Sequence, residues 1–122
     1  MASTDSFNIG GGSALDGLER RSDVRRPLRT ALKLTVGGHA LGARTIDIGA
    51  HGMSIAIDRN LPPRTDCRVA FSMPVNGHAH ALDLHARVVH GVLCSSQGFK
   101  IGLELLETSG HDDQLIEQYL AR

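Results

Sequence analysis

From Arg29 onward apolar residues recur at every second position. Leu32, Leu34 and Val36 alternate with Lys33 and Thr35, which is the period of a half-buried strand. Gly37-Gly38 then supplies a turn. A second run, Leu41 to Ile48, ends in Asp47-Ile48-Gly49-Ala50-His51-Gly52, and a third covers Met53 to Ile57. Pro62-Pro63 breaks the chain. A fourth run, Arg68 to Met73, is closed by Pro74 and the turn Asn76-Gly77. The fifth is long, from about Ala81 to Leu93, with Leu82, Leu84, Ala86 and Val88 on one face. Ser95 to Gly98 turns it into a sixth, Phe99 to Leu106, where Phe99, Ile101, Leu103 and Leu105 alternate with polar or small residues.

Six short strands separated by turns predict an antiparallel barrel or sandwich, and a barrel leaves no exposed sheet edge. The period then changes. Ser109-Gly110-His111-Asp112 has the form of a capping box. Leu115, Ile116, Tyr119 and Leu120 fall on one helical face, so an amphipathic helix of about ten residues ends the chain. Met1 to Leu18 is polar and glycine-rich without sustained periodicity and reads as a flexible tail. The expected organisation is a tail over residues 1–18 and one domain over residues 19–122, all-β with one C-terminal helix. A length of 122 residues suits a single domain. With 41% hydrophobic and 21% charged residues, a wholly disordered chain is excluded.

Charge sharpens the picture locally. Thirteen cations balance thirteen acids over the whole chain. Glu19 to Lys33, however, holds six cations against two acids, leaving seven against eleven elsewhere. A basic segment on an acidic body suggests a localised anion site. Eleven of the thirteen cations are arginine, whose planar fork suits phosphate and the guanine edge. The only aromatics are Phe7, Phe71, Phe99 and Tyr119, few for a protein that stacks single-stranded bases.

Two constellations carry candidate chemistry. Arg21-Ser22-Asp23-Val24-Arg25 is an RxxxR preceded by Arg20 and followed by Arg26. Asp47 to Gly52 is a DxGxxG in the turn between the second and third strands. A carboxylate accepts paired donors such as guanine N1 and N2. Arginines take phosphate bidentately and reach guanine O6 and N7. Glycines let backbone approach a ligand closely. Together these are the parts that hold an anionic guanine nucleotide.

An RxxxR, then D/N-x-S-x-x-G about twenty residues later, on a six-stranded barrel with a C-terminal helix, resembles a PilZ domain. The likeness spans about residues 19–121, and Gly98 to Leu105 is similar to the family's final strand. The resemblance implies a bacterial receptor for the second messenger cyclic di-GMP, with no catalytic residues and no other cofactor. It implies ligand contacts from Arg20, Arg21, Arg25, Asp47, Gly49 and Gly52. It also implies an arginine segment that closes over the ligand and changes the surface offered to an unnamed protein effector. Outputs of that kind govern motility, surface attachment or virulence. A cation at the Arg20 position accompanies a stacked ligand pair, which points to two cyclic di-GMP per chain. The sequence departs from the motif at Gly49, where the family has serine. One lost ligand hydrogen bond costs about 0.5–1.5 kcal/mol, up to roughly tenfold in affinity.

The alternative is a degenerate PilZ domain that binds no nucleotide and serves as a protein–protein adaptor. A nucleic-acid-binding barrel would rest on the basic segment alone. Seven histidines raise a metal site, but no Cys or acid pair stands at ligand spacing, and none is expected. Cys67 and Cys94 form no CxxC and read as two buried thiols. With no run of about 18 apolar residues and no basic-then-apolar leader, a cytoplasmic chain without membrane insertion is expected, a monomer or weak dimer.

Overall fold

Backbone pairing turns the apolar runs into one closed sheet. The computed structural model describes residues 24–94 and 98–121. Its strands are β1 (Arg25–Pro27), β2 (Ala31–Val36), β3 (His39–Gly49), β4 (Gly52–Ile57), β5 (Asp66–Val75), β6 (His78–Leu93) and β7 (Phe99–Leu105), followed by helix α1 (Gly110–Leu120). All pairings are antiparallel. The order β3-β2-β5-β6-β7-β4 closes through a β3–β4 pairing, giving a six-stranded ring. The expected barrel and terminal helix are therefore present. The expected tail over residues 1–18 lies outside the described residues.

The alternating residues fill the barrel as their period requires. Leu34, Ile48, Met53, Ile55, Val69, Leu84 and Ile101 are fully buried. The two-residue hairpins follow turn chemistry. Gly37 and Gly38 have φ of 56° and 83°, and Asn76 and Gly77 of 54° and 80°, the paired positive values of a type I′ turn. Pro74 does not end β5, which runs on to Val75. It pairs with Ala79 one step from the Val75–His78 closure, and β2 covers β5 only at Arg68–Phe71. Its missing N–H thus faces an open edge, where proline is tolerated.

The departure from six strands is β1. It pairs with the end of β3 while β2 pairs with the beginning of the same edge. The two are one strand broken at residues 28–30. Thr45 repairs the break from inside the sheet. Its Oγ1 accepts from Thr30 N at 2.9 Å and donates to the Leu28 carbonyl, and its N–H reaches Thr30 O at 2.9 Å. This explains why Thr45, only 4% exposed, is a polar residue in the core.

Helix α1 is capped by Ser109, whose Oγ accepts from Asp112 N at 3.1 Å. It buries Leu115, Ile116 and Tyr119 and lies against β5. The cysteines part company: Cys67 is a buried thiol and Cys94 is exposed, which corrects the expectation of two buried ones. Among the described residues no helix is long and apolar enough to cross a membrane.

Candidate functional site

Period-two geometry sends neighbouring arginines of β1 to different places. Arg25 pairs with Gly49 and Pro27 with Asp47, so these four share the outer face. Arg26, opposite Ile48, points the other way. Asp47 reaches the outer face through an irregularity in β3. Thr45 pairs with Ile55, but Asp47 pairs with Ser54, so Ile46 is an extra residue. A bulge of this kind inverts side-chain parity beyond it. Thr45 before it is buried, and Ile48 after it is buried, leaving Asp47 outward.

Arg25 Nη1 donates to Asp47 Oδ1 at 2.9 Å across a sequence separation of 22 residues. The two side chains are 42% and 25% exposed, so a ligand can reach both, and the pair itself contributes little stability. The arginine lies over two glycines. A Cβ at Gly52 would stand 3.0 Å from Arg25 Nη2 and 2.9 Å from the Leu103 carbonyl oxygen. A Cβ at Gly49 would stand 3.4 Å from Arg25 Cγ and 2.9 Å from Val24 O. With β1 in this place, a side chain at either position would have to displace backbone and Arg25.

Arg25, Gly49 and Gly52 border a cleft of about 360 Å³, completed by Ala50, His51, Val89, Leu103 and Glu104. Val89 owes its place to a second bulge. Val88 pairs with Leu103 and His90 with Gly102, leaving Val89 unpaired and 51% exposed beside Arg25. The cleft thus offers the Arg25 cation, the Glu104 carboxylate, bare glycine backbone and the exposed Val89 side chain, with the Asp47 carboxylate held beside it by Arg25. Its size is near the low end of small-molecule sites, roughly 300–1,000 Å³, enough for one base and its phosphate.

A second groove of about 530 Å³ runs from Ala50 and His51 along Leu105 and Leu106 to Ile116, Glu117 and Leu120 of α1. Helix and arginine strand are also joined directly. Arg26 Nη1 donates to the Tyr119 carbonyl at 2.7 Å, and its guanidinium lies 5.0 Å over the Tyr119 ring. The Tyr119 hydroxyl in turn donates to Pro27 O. No basic residue sits in the last turn of α1, so Arg26 supplies the cation that a helix C-terminus favours.

Of the six expected ligand residues, Arg25, Gly49 and Gly52 line this cleft, and Asp47 is joined to it through its hydrogen bond with Arg25. Arg20 and Arg21 lie outside the described residues. His51 is exposed at the rim. Among the described residues no group of three or more His, Cys, Asp or Glu is placed to hold a metal ion. Val89, Glu104 and the Arg26–Tyr119 clamp were not legible as site residues, because strands about forty residues or more further along the chain bring them there.

Comparison with known proteins completes the description. A family model described as the PilZ domain matches residues 19–122. No curated protein sequence matches the chain. Among solved structures, the Bacillus subtilis inhibitor of motility (MotI/DgrA) superposes with a TM-score of 0.73 at 20% identity, covering 81% of this chain and 48% of that one. This chain therefore spans about half of its length. The PilZ domain of YcgR from Escherichia coli, solved with c-di-GMP, superposes with a TM-score of 0.57 at 12% identity, covering 80% of this chain and 85% of that one.

Proposed function

Because the chain belongs to the PilZ domain family, we propose that it is a non-enzymatic receptor for cyclic di-GMP that signals to a protein effector. One observation carries the reading. Arg25 and Asp47 meet at 2.9 Å on the outer face, over the bare backbone of Gly49 and Gly52. The carboxylate has the two acceptors that guanine N1 and N2 require. The guanidinium has the fork that a phosphate or guanine O6 and N7 requires. Arg20 and Arg21, which the family motif also assigns to the ligand, add two guanidiniums to the anion site. Among the outputs of motility, surface attachment and virulence, the likeness to a motility inhibitor favours motility.

Signal passes from cleft to helix through β1. Arg25 faces the ligand while Arg26, the next residue, holds the C-terminus of α1. Any shift of β1 toward ligand therefore pulls on α1, the element that borders the second groove.

Calorimetric titration with cyclic di-GMP, with GTP as control, tests the proposal. Saturable binding at micromolar or tighter affinity is expected, and the stoichiometry reads one ligand or a stacked pair. Arg25→Ala removes a charge-assisted hydrogen bond worth about 1.5–3 kcal/mol and lowers affinity about ten- to a hundredfold. Gly49 in the serine position favours a second reading, the ligand-blind adaptor. The absence of both heat and thermal shift at high ligand would establish that reading and refute the first.

A further inference from the structure

We infer that Gly49 is a positioning residue that lets the arginine strand dock against β3 with Arg25 paired to Asp47, and so sets the ligand concentration at which the receptor responds. The inference rests on the reading of this cleft as a cyclic di-GMP site and concerns its regulation.

The steric case is local. A Cβ at position 49 would sit 2.9 Å from the Val24 carbonyl oxygen, closer than real Cβ atoms approach backbone. With serine there, as in the motif the chain resembles, Val24 and Arg25 have to lift away from the end of β3. With glycine they settle into the Arg25–Gly49 register. The Arg25 stem then fills the space over Gly49, with Cγ 3.4 Å from where the Cβ would be. Its guanidinium reaches past Gly52 to Asp47 at 2.9 Å.

The energetic case follows. Ligand needs both Arg25 and Asp47, and in this arrangement each already satisfies the other. The Arg25–Asp47 pair competes with ligand, and the apparent dissociation constant rises as the fraction of molecules in which that pair is parted falls. Gly52 cannot play this part. Its Cβ would strike the Leu103 carbonyl of the neighbouring strand at 2.9 Å, so a side chain there disturbs the barrel rather than β1. The three atoms nearest a Cβ at position 49 all belong to the segment that has to move. Gly49 does not have a positive φ among the described glycines, so alanine can adopt its backbone.

Gly49→Ala separates the two roles of the position, because it adds the Cβ without the hydroxyl. Two readouts are taken on the full chain: the dissociation constant for cyclic di-GMP by calorimetry, and ligand-free amide exchange over residues 24–27. Gly49→Ala is expected to bind about three- to tenfold more tightly and to exchange faster in that segment. Gly49→Ser is expected to bind at least as tightly as Gly49→Ala. Thermal unfolding verifies that both variants fold. If Gly49→Ala binds no more tightly than the natural chain, or exchanges no faster, the inference is overturned. If none of the three chains gives heat with cyclic di-GMP, the receptor reading fails and takes the affinity statement with it. The exchange rates then decide alone whether Gly49 docks β1.

Discussion

Ile46 is the extra residue where β3 pairs with β4; were it paired in plain alternation instead of bulged, Asp47 would share the inward face of Thr45. At the scale of single residues, then, the site depends on a bulge as much as on the acid it exposes. Cys67 illustrates the opposite environment. Burial, and secondarily the Asp66 carboxylate, push its thiol up to about 11 from an ordinary 9.0. The unfolded chain therefore releases this proton first as pH rises. The contribution is fully present below about pH 9 and is lost as pH climbs through about 11, a difference of roughly 2–3 kcal/mol. Urea midpoints measured from pH 8 to 11 should fall, and Cys67→Ala, though less stable at pH 8, should lack this part of the slope. An equal slope in the variant would assign the loss to other groups. The motif residues were legible because a carboxylate and two glycines have a local signature, although the structure puts them in the ends of β3 and β4 flanking the turn rather than in it. Val89 and Glu104 were not, since neither has a local signature and only strand register brings them to Arg25.

Elements read well wherever alternation was long. Leu82 to Val88 gave β6, and Leu115, Ile116 and Tyr119 gave the buried face of α1. β1 was not legible, because Arg-Arg-Pro carries no apolar alternation. It becomes a strand because β3 offers it a backbone edge and because α1 clamps it. That clamp is measurable. Tyr119→Phe removes only the hydroxyl that donates to Pro27 O and is expected to cost about 0.5–1.5 kcal/mol in urea denaturation. Arg26→Ala removes the bond to the helix C-terminus and the ring contact together, and about 1.5–3 kcal/mol is expected. Because Arg26 points away from the cleft, its alanine variant should keep cyclic di-GMP affinity within about threefold. It should lose the ligand-induced change in amide exchange across α1. A tenfold loss of affinity would place Arg26 in the ligand site, and an intact exchange response would place the coupling elsewhere.

Across the whole molecule, closure of the ring decides where function can sit. Six strands share their edges around the barrel and the core fills its interior, so ligand chemistry is left to the outside of one end. There β1, the β3–β4 turn and α1 meet. Charge follows the same division, because the basic stretch Glu19 to Lys33 is followed by a body, residues 34–122, in which nine acids outnumber seven cations. A small dianion is drawn by the segment over a Debye length of about 8–10 Å, whereas a long polyanion also meets the acidic body. Cyclic di-GMP at a hundred times its dissociation constant should stabilise the fold by about 2.7 kcal/mol. That is a rise in melting temperature on the order of 10 °C for a domain of this size. Raising sodium chloride from about 50 to 500 mM should weaken the ligand less than tenfold, since only two phosphates are involved and screening acts on nearby charges. A single-stranded oligonucleotide should give no saturable binding even at the lower salt. Saturable oligonucleotide binding with a steep salt dependence would reverse the assignment, making the arginine segment a nucleic-acid contact and the cleft a bystander.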